Sequence, residues 1–234
     1  MHEPATPHPR KSARSQLPRL ALVTGDFADS ADLLRRTRLA LEGGVRWVQL
    51  RAKQLCARDL YAAAVALRSL TREFGATFLV NDRIDVALAC RADGVHLPSA
   101  GLSAGDARAV VGKNLLIGLS VHSREEIQAA GGNDLDYVQF GPVYDTPSKR
   151  AYGAPQGIAA LAAAARQAHL AGVPLIAIGG AGPLQAAEVA AAGADAVAAI
   201  GAIWAARDIR QAASRFVEAA RAAFATGAAC EPGS

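Results

Sequence analysis

Cysteine, aromatic residues and long apolar runs are all scarce in this chain, and each shortage removes a class of protein. The three cysteines, Cys56, Cys90 and Cys230, are odd in number, stand at unrelated spacings and form no CxxC pair. They support neither a disulfide framework nor a structural zinc site and fit a reducing compartment, so the expected location is cytoplasmic. No apolar stretch approaches the roughly 20 residues of a membrane-crossing helix, and no membrane partner is expected. Aromatic residues make up 5% of the chain, and no basic stripe interleaves with them, which argues against nucleic acid as a partner. Part of the +4 formal charge comes from Arg10, Lys11 and Arg14 near the N-terminus. A mildly basic balance of this kind suits small anionic ligands. Residues 1–17 hold basic and proline residues but lack the apolar segment of a secretory signal, so they read as a disordered extension. Residues 226–234 read as a frayed tail, leaving 18–225 as one domain.

What the sequence does have is apolar material, 51% of 234 residues, enough for one large core. It comes as short aliphatic runs alternating with longer amphipathic stretches. The runs are Leu20–Thr24, Trp47–Leu50, Thr77–Val80, Gly94–His96, Leu115–Ser120, Tyr137–Phe140, Pro174–Ile178 and Ala196–Ile200. Runs this short and this apolar fit strands of a parallel sheet buried on both faces. Between them lie helical stretches, among them Ser30–Glu42, Ala57–Phe74, Gln156–Leu170, Pro183–Ala192 and Ile209–Ala225. Pro183 suits a first helical turn, and Gly193 suits a stop. Strict alternation predicts an α/β fold, either a closed barrel or a doubly wound sheet. The first strand is followed by Thr24-Gly25-Asp26 rather than GxGxxG, which weakens a dinucleotide fold. Eight units, polar residues just after the strands, and glycine turns after the last two favour a single (β/α)8 TIM barrel.

The chemistry should then lie at the C-terminal strand ends. Gln49, Arg51 and Lys53 follow the second strand; by alternation they share a side and suit a phosphate or pyrophosphate, or else form a solvated strand end. Asn81 and Asp82 follow the third; Asp82 offers a hard carboxylate for Mg2+, but the pair also fits an ordinary helix N-cap. After the fifth come Ser120 and His122, candidates for heterocycle binding and proton relay, and Ser123 with Glu126, a capping box. His96, at the end of the fourth, reads as structural. The loop from Gly141 to Pro155 carries Thr146, Ser148 and Lys149 between Gly141 and Gly153 and reads as a closing phosphate clamp or a surface loop. Glycines after the seventh and eighth strands offer backbone N–H groups to a second phosphate. Two anion sites in one mouth suit a reaction on phosphorylated small molecules. Association into a homo-oligomer stays open, because pattern alone singles out no helix face.

In order and spacing, VQLRAK, VNDR, ADGVHL, SVHS, FGPVYDTPSK, AIGGAG and AGADAVAAIGAI resemble the thiamine-phosphate synthase and thiazole tautomerase superfamily across the whole core. The resemblance implies a TIM barrel. For the synthase it implies coupling of hydroxymethylpyrimidine diphosphate to thiazole phosphate, with pyrophosphate leaving before the thiazole nitrogen captures the pyrimidine cation. It further implies that Gln49, Arg51, Lys53, Asn81 and Lys149 hold the pyrimidine diphosphate, with Ser120 near the pyrimidine and Thr146 and Ser148 in the clamp. Gly180, Ile200 and Gly201 would receive the thiazole phosphate, and Asp82 would ligate Mg2+. One departure stands out: Gly101 occupies the position of the second Mg2+ ligand, and Asp106 lies too far along to replace it. Leu97-Pro98-Ser99 resembles the tautomerase branch, in which His122 would be the acid and base that aromatises a thiazole carboxylate phosphate without metal. Retention of Lys53, Asp82, Ser148 and Lys149 favours the synthase over that alternative. Another phosphosugar-type barrel, or a ligand-binding regulator without activity, completes the range.

Overall fold

The computed structural model of the chain describes residues 17–131, 134–146 and 154–225. Its strands are β1 (Leu20–Val23), β2 (Trp47–Leu50), β3 (Thr77–Asn81), β4 (Gly94–Leu97), β5 (Leu116–Val121), β6 (Tyr137–Phe140), β7 (Leu175–Ile178) and β8 (Ala196–Ala199). Each pairs in parallel with the next, and β8 returns to β1, so the sheet is a closed barrel. The expected (β/α)8 architecture is the one observed, with strand bounds within one residue of expectation.

Such short strands suffice because their side chains alternate between two cores. Leu22, Val48, Leu50, Phe78 and Val80 belong to the cluster that packs beneath the helices. Ala21, Trp47, Leu79, Tyr137, Ile176 and Ala198 form a second cluster that fills the barrel. Leu17 joins this second cluster, so packing extends to a residue ahead of the expected domain start. Trp47 and Tyr137, on opposite strands, meet edge to face with ring centroids 5.3 Å apart. Tyr137 fits only because its neighbour on β5 is Gly118, where a Cβ would lie 2.0 Å from the phenol ring.

The helices are α1 (Ser30–Glu42), α2 (Ala57–Glu73), α3 (Ile84–Ala89), α4 (Ala104–Val111), α5 (Arg124–Ala130), α6 (Gly157–Leu170), α7 (Ala186–Ala191), α8 (Gly201–Trp204) and α9 (Ile209–Ala225). The expected helix from Pro183 begins instead with a tight 3-10 turn, Pro183–Gln185, closed by a Gly182 N–H donated to Gln185 Oε1. Ser123 caps α5 by accepting the Glu126 N–H, and the Glu126 carboxylate reaches back to the His122 N–H at 2.8 Å. The box is thus one residue longer than expected and fixes the backbone of His122.

At the opposite end of the barrel one device recurs before alternate strands. Asp93, Asp136 and Asp195 precede β4, β6 and β8 and accept the N–H of Phe78, Ile117 and Leu175, each at 2.8 Å. Each also meets a side chain from an earlier helix, namely Arg68, Arg108 and His169. Every such carboxylate ties two neighbouring strands and a helix together, which leaves the other rim free to carry chemistry.

Candidate functional site

A cavity of about 870 Å³ opens at the C-terminal ends of the strands. Gln49, Arg51, Asn81, Ser120, His122, Thr146, Gly180, Ile200 and Gly201 all line it. Expected residues from six separate βα units therefore meet in one mouth.

The floor is a row of side chains with the same strand parity. Gln49 Nε2 donates to Asn81 Oδ1 at 3.1 Å, linking β2 to β3. His96 Nδ1 lies 2.9 Å from the Tyr137 hydroxyl, and its Nε2 lies 2.8 Å from Ser120 Oγ. Burial depresses the His96 pKa to about 3, so its ring is neutral and one nitrogen carries a hydrogen. Tyr137 is 1% exposed, and among the described residues His96 Nδ1 is the acceptor bonded to its hydroxyl, so the phenol donates to Nδ1. Nε2–H then donates to Ser120, and the Ser120 hydroxyl hydrogen is left for the cavity. His96 thus orients Ser120 from below.

Above this floor the strand ends are set by local bonds. Thr24 Oγ1 accepts the Arg51 N–H at 2.9 Å and donates to the Arg51 carbonyl at 3.2 Å, pinning Arg51 at the rim. His122 Nδ1 lies 2.6 Å from the Gly141 carbonyl, so that nitrogen donates and Nε2 is the basic position. Gly180 has φ of 72°, and a Cβ there would meet Tyr144 Cβ at 2.7 Å; only glycine lets the backbone after β7 pass so close to the loop after β6. The Thr146 hydroxyl is buried with no partner among the described residues. On the far wall the Trp204 indole donates to the Asp26 carbonyl at 2.7 Å, and the Arg36 guanidinium donates to the Trp204 carbonyl at 2.9 Å.

Some expected residues stand elsewhere. Alternation was expected to carry Lys53 to the side of Gln49 and Arg51, but β2 ends at Leu50; Lys53 sits exposed in the following turn and does not line the cavity. Asp82 also stands outside the lining, exposed and with φ of 68°. It is not a helix cap, since the N-cap position of α3 is Arg83 and takes no side-chain bond. Ser148 and Lys149 lie outside the described residues. For Mg2+, Asp82 offers a carboxylate that accepts no hydrogen bond among the described residues, whereas Gly101 sits in a turn closed on the Pro98 carbonyl and offers no side chain. Asp106 is inside α4, bonded to Ser103. No group of three or more His, Cys, Asp or Glu able to hold a metal occurs among the described residues. An ion that takes one or two carboxylates and completes its shell with substrate oxygens and water needs no more from the protein than Asp82 offers.

Reading the sequence missed Gln139, Arg36, Asp26 and Trp204 as lining residues and assigned His96 to structure alone. Gln139 had a signal: it shares parity with Tyr137 on a strand otherwise apolar. Arg36 and Trp204 had none, because helix pattern does not tell which residues overhang a rim.

Fold and site together define a (β/α)8 barrel with a cavity at its C-terminal mouth in which polar side chains from several strands converge. A sequence model described as thiamine monophosphate synthase matches residues 20–203, and the chain belongs to that family. The thiamine-phosphate synthase of Moorella thermoacetica is 40% identical over 84% of this chain and 92% of its own. That of Methanoculleus marisnigri is 45% identical over 81% and 89%. Among solved structures, thiamine phosphate pyrophosphorylase from Pyrococcus furiosus superposes with a TM-score of 0.77 at 33% identity, covering 88% of this chain and 96% of that one.

Proposed function

We propose that this chain is a thiamine-phosphate synthase, a transferase of thiamine biosynthesis that joins hydroxymethylpyrimidine diphosphate to thiazole phosphate. The carbon–oxygen bond of the pyrimidine diphosphate breaks, pyrophosphate leaves with the electron pair, and the thiazole nitrogen forms the new carbon–nitrogen bond. The observation that carries this reading is that one cavity brings together Arg51, Gln49 and Asn81 with the glycine backbone around Gly180 and Gly201. The polar side chains suit the diphosphate and the glycine backbone a monophosphate, with the reacting atoms between them.

The chain's own groups suit a cationic pathway. Arg51 at the rim would stabilise charge gathering on departing pyrophosphate, joined by Lys53 and Lys149. The floor carries no charge, because His96 is held neutral by burial, so nothing beneath the pyrimidine repels a developing cation. Ser120 would donate its free hydrogen to the heterocycle. Thr146 and Ser148 would close over the phosphates, and Gly180, Ile200 and Gly201 would receive the thiazole phosphate. When bound with the diphosphate at Asp82, Mg2+ would neutralise leaving-group charge. The free thiols Cys56 and Cys90 support a reducing, cytoplasmic location. The isomerase alternative rests on His122, Gly101 and Leu97-Pro98-Ser99, and gains no support from relatives named as synthases.

Expression of the chain in a bacterium lacking its own thiamine-phosphate synthase should restore growth without thiamine. Failure of the well-expressed protein to do so would contradict the proposal.

A further inference from the structure

In the floor of the cavity every polar side chain but one is committed to a neighbour. Gln49 is bonded to Asn81, and Ser120 to His96, which is bonded in turn to Tyr137. Gln139 is the exception. It lies directly beside Ser120 in the β5–β6 register, it is 5% exposed, and it lines the cavity. Its carboxamide makes no hydrogen bond to any described residue. The carboxamide borders the cavity with two donors and two acceptor sites left open for a ligand. The next inward positions along the sheet, Ile176 and Ile178, are apolar, so neither competes for it.

We infer that Gln139 is a specificity-determining residue whose carboxamide pairs with the edge of an amino-substituted nitrogen heterocycle. A carboxamide presents a carbonyl acceptor beside an N–H donor. The complement is an exocyclic amine beside a ring nitrogen, the pattern by which Gln and Asn read adenine bidentately. An aminopyrimidine has that edge. With Ser120 donating alongside, the floor offers two donors and one acceptor in a fixed row. The inference rests on the synthase reading, since it assigns the pyrimidine ring to this floor.

The test is a binding titration with thiazole phosphate withheld, because a ring amine also assists pyrophosphate departure electronically and would confuse a rate. Wild type and Gln139→Met are each titrated with the pyrimidine diphosphate and with an analogue carrying hydrogen in place of the amine. Wild type should bind the amine-bearing ligand about 10- to 100-fold more tightly than the analogue, the range for one good bidentate pair. Q139M should bind both at the analogue's level, with an unchanged melting temperature. Equal binding of the two ligands by wild type, or an undiminished preference in Q139M, would overturn the inference and leave the synthase reading standing. A Q139M protein unable to fold would also overturn it, because an amide without protein partners has no fold to hold. Wild type binding neither ligand would sink the synthase reading and this inference with it.

Discussion

His96 makes the stability of this barrel depend on pH in a way that can be worked out from its surroundings. Its ring is 1% exposed, and burial holds its pKa near 3, against 6.5 for an ordinary histidine. The unfolded chain therefore takes up a proton below pH 6.5 that the folded chain refuses until about pH 3. Where the unfolded state binds more protons, stability rises with pH. The contribution is thus intact above pH 6.5, falls as pH drops, and is fully lost below about 3. At pH 5 the loss is about 2 kcal/mol, from 1.4 kcal/mol for each unit below the unfolded value. Because pH 5 lies well above the folded value, the figure depends on the unfolded one alone. Urea unfolding at pH 7.5 and pH 5.0 should be compared for wild type and His96→Asn. The variant starts less stable at both values, having lost its bonds to Tyr137 and Ser120, but it lacks this titration. Wild type should lose about 2 kcal/mol more than the variant between the two pH values. Parallel losses would show that His96 is protonated in the folded protein and that the neutral floor is wrong.

Three further outcomes are expected. Asp136→Ala removes the carboxylate that accepts the Ile117 N–H and pairs with Arg108, both side chains being mostly buried. It should cost about 3 kcal/mol and lower the melting temperature by about 6–12 °C, while the surviving folded protein keeps its KM values. Thr146→Val replaces a buried hydroxyl that has no partner among the described residues. Thermal melts should show stability unchanged or higher by about 1 kcal/mol, whereas kcat/KM for coupling should fall at least about tenfold; a parallel loss of both would make the hydroxyl structural. Asp82→Ala, at an exposed position, should change stability by less than about 0.5 kcal/mol and abolish Mg2+-dependent turnover, and unchanged turnover would remove Asp82 from the metal site.

The barrel was legible in the sequence because strand, turn and helix signals repeat at short range. The apolar runs had to be strands, since Leu20 to Val23 or Leu175 to Ile178 is too short for a helix yet wholly buried. The cavity lining was legible where a residue lies on or next to a strand, as with Gln49, Asn81 and Ser120. It was less so where the chain leaves the strand: parity stops at Leu50, and Lys53 follows turn geometry instead. The His96–Tyr137 bond spans 41 residues, and its partners share a layer only because β4 and β6 stand two strands apart. No local pattern carries that pairing, which is why His96 read as merely structural. Arg36 reaches the mouth from a helix, through Trp204 at the other end of the chain, and sequence offers no sign of such a contact.

The most direct measurement follows purified protein supplied with hydroxymethylpyrimidine diphosphate, thiazole phosphate and Mg2+, recording thiamine phosphate and pyrophosphate together. The account predicts the two products in equal amounts, dependent on Mg2+ and on both substrates. No thiamine phosphate, from protein that still aromatises the thiazole carboxylate phosphate, would contradict it and move the chemistry to His122.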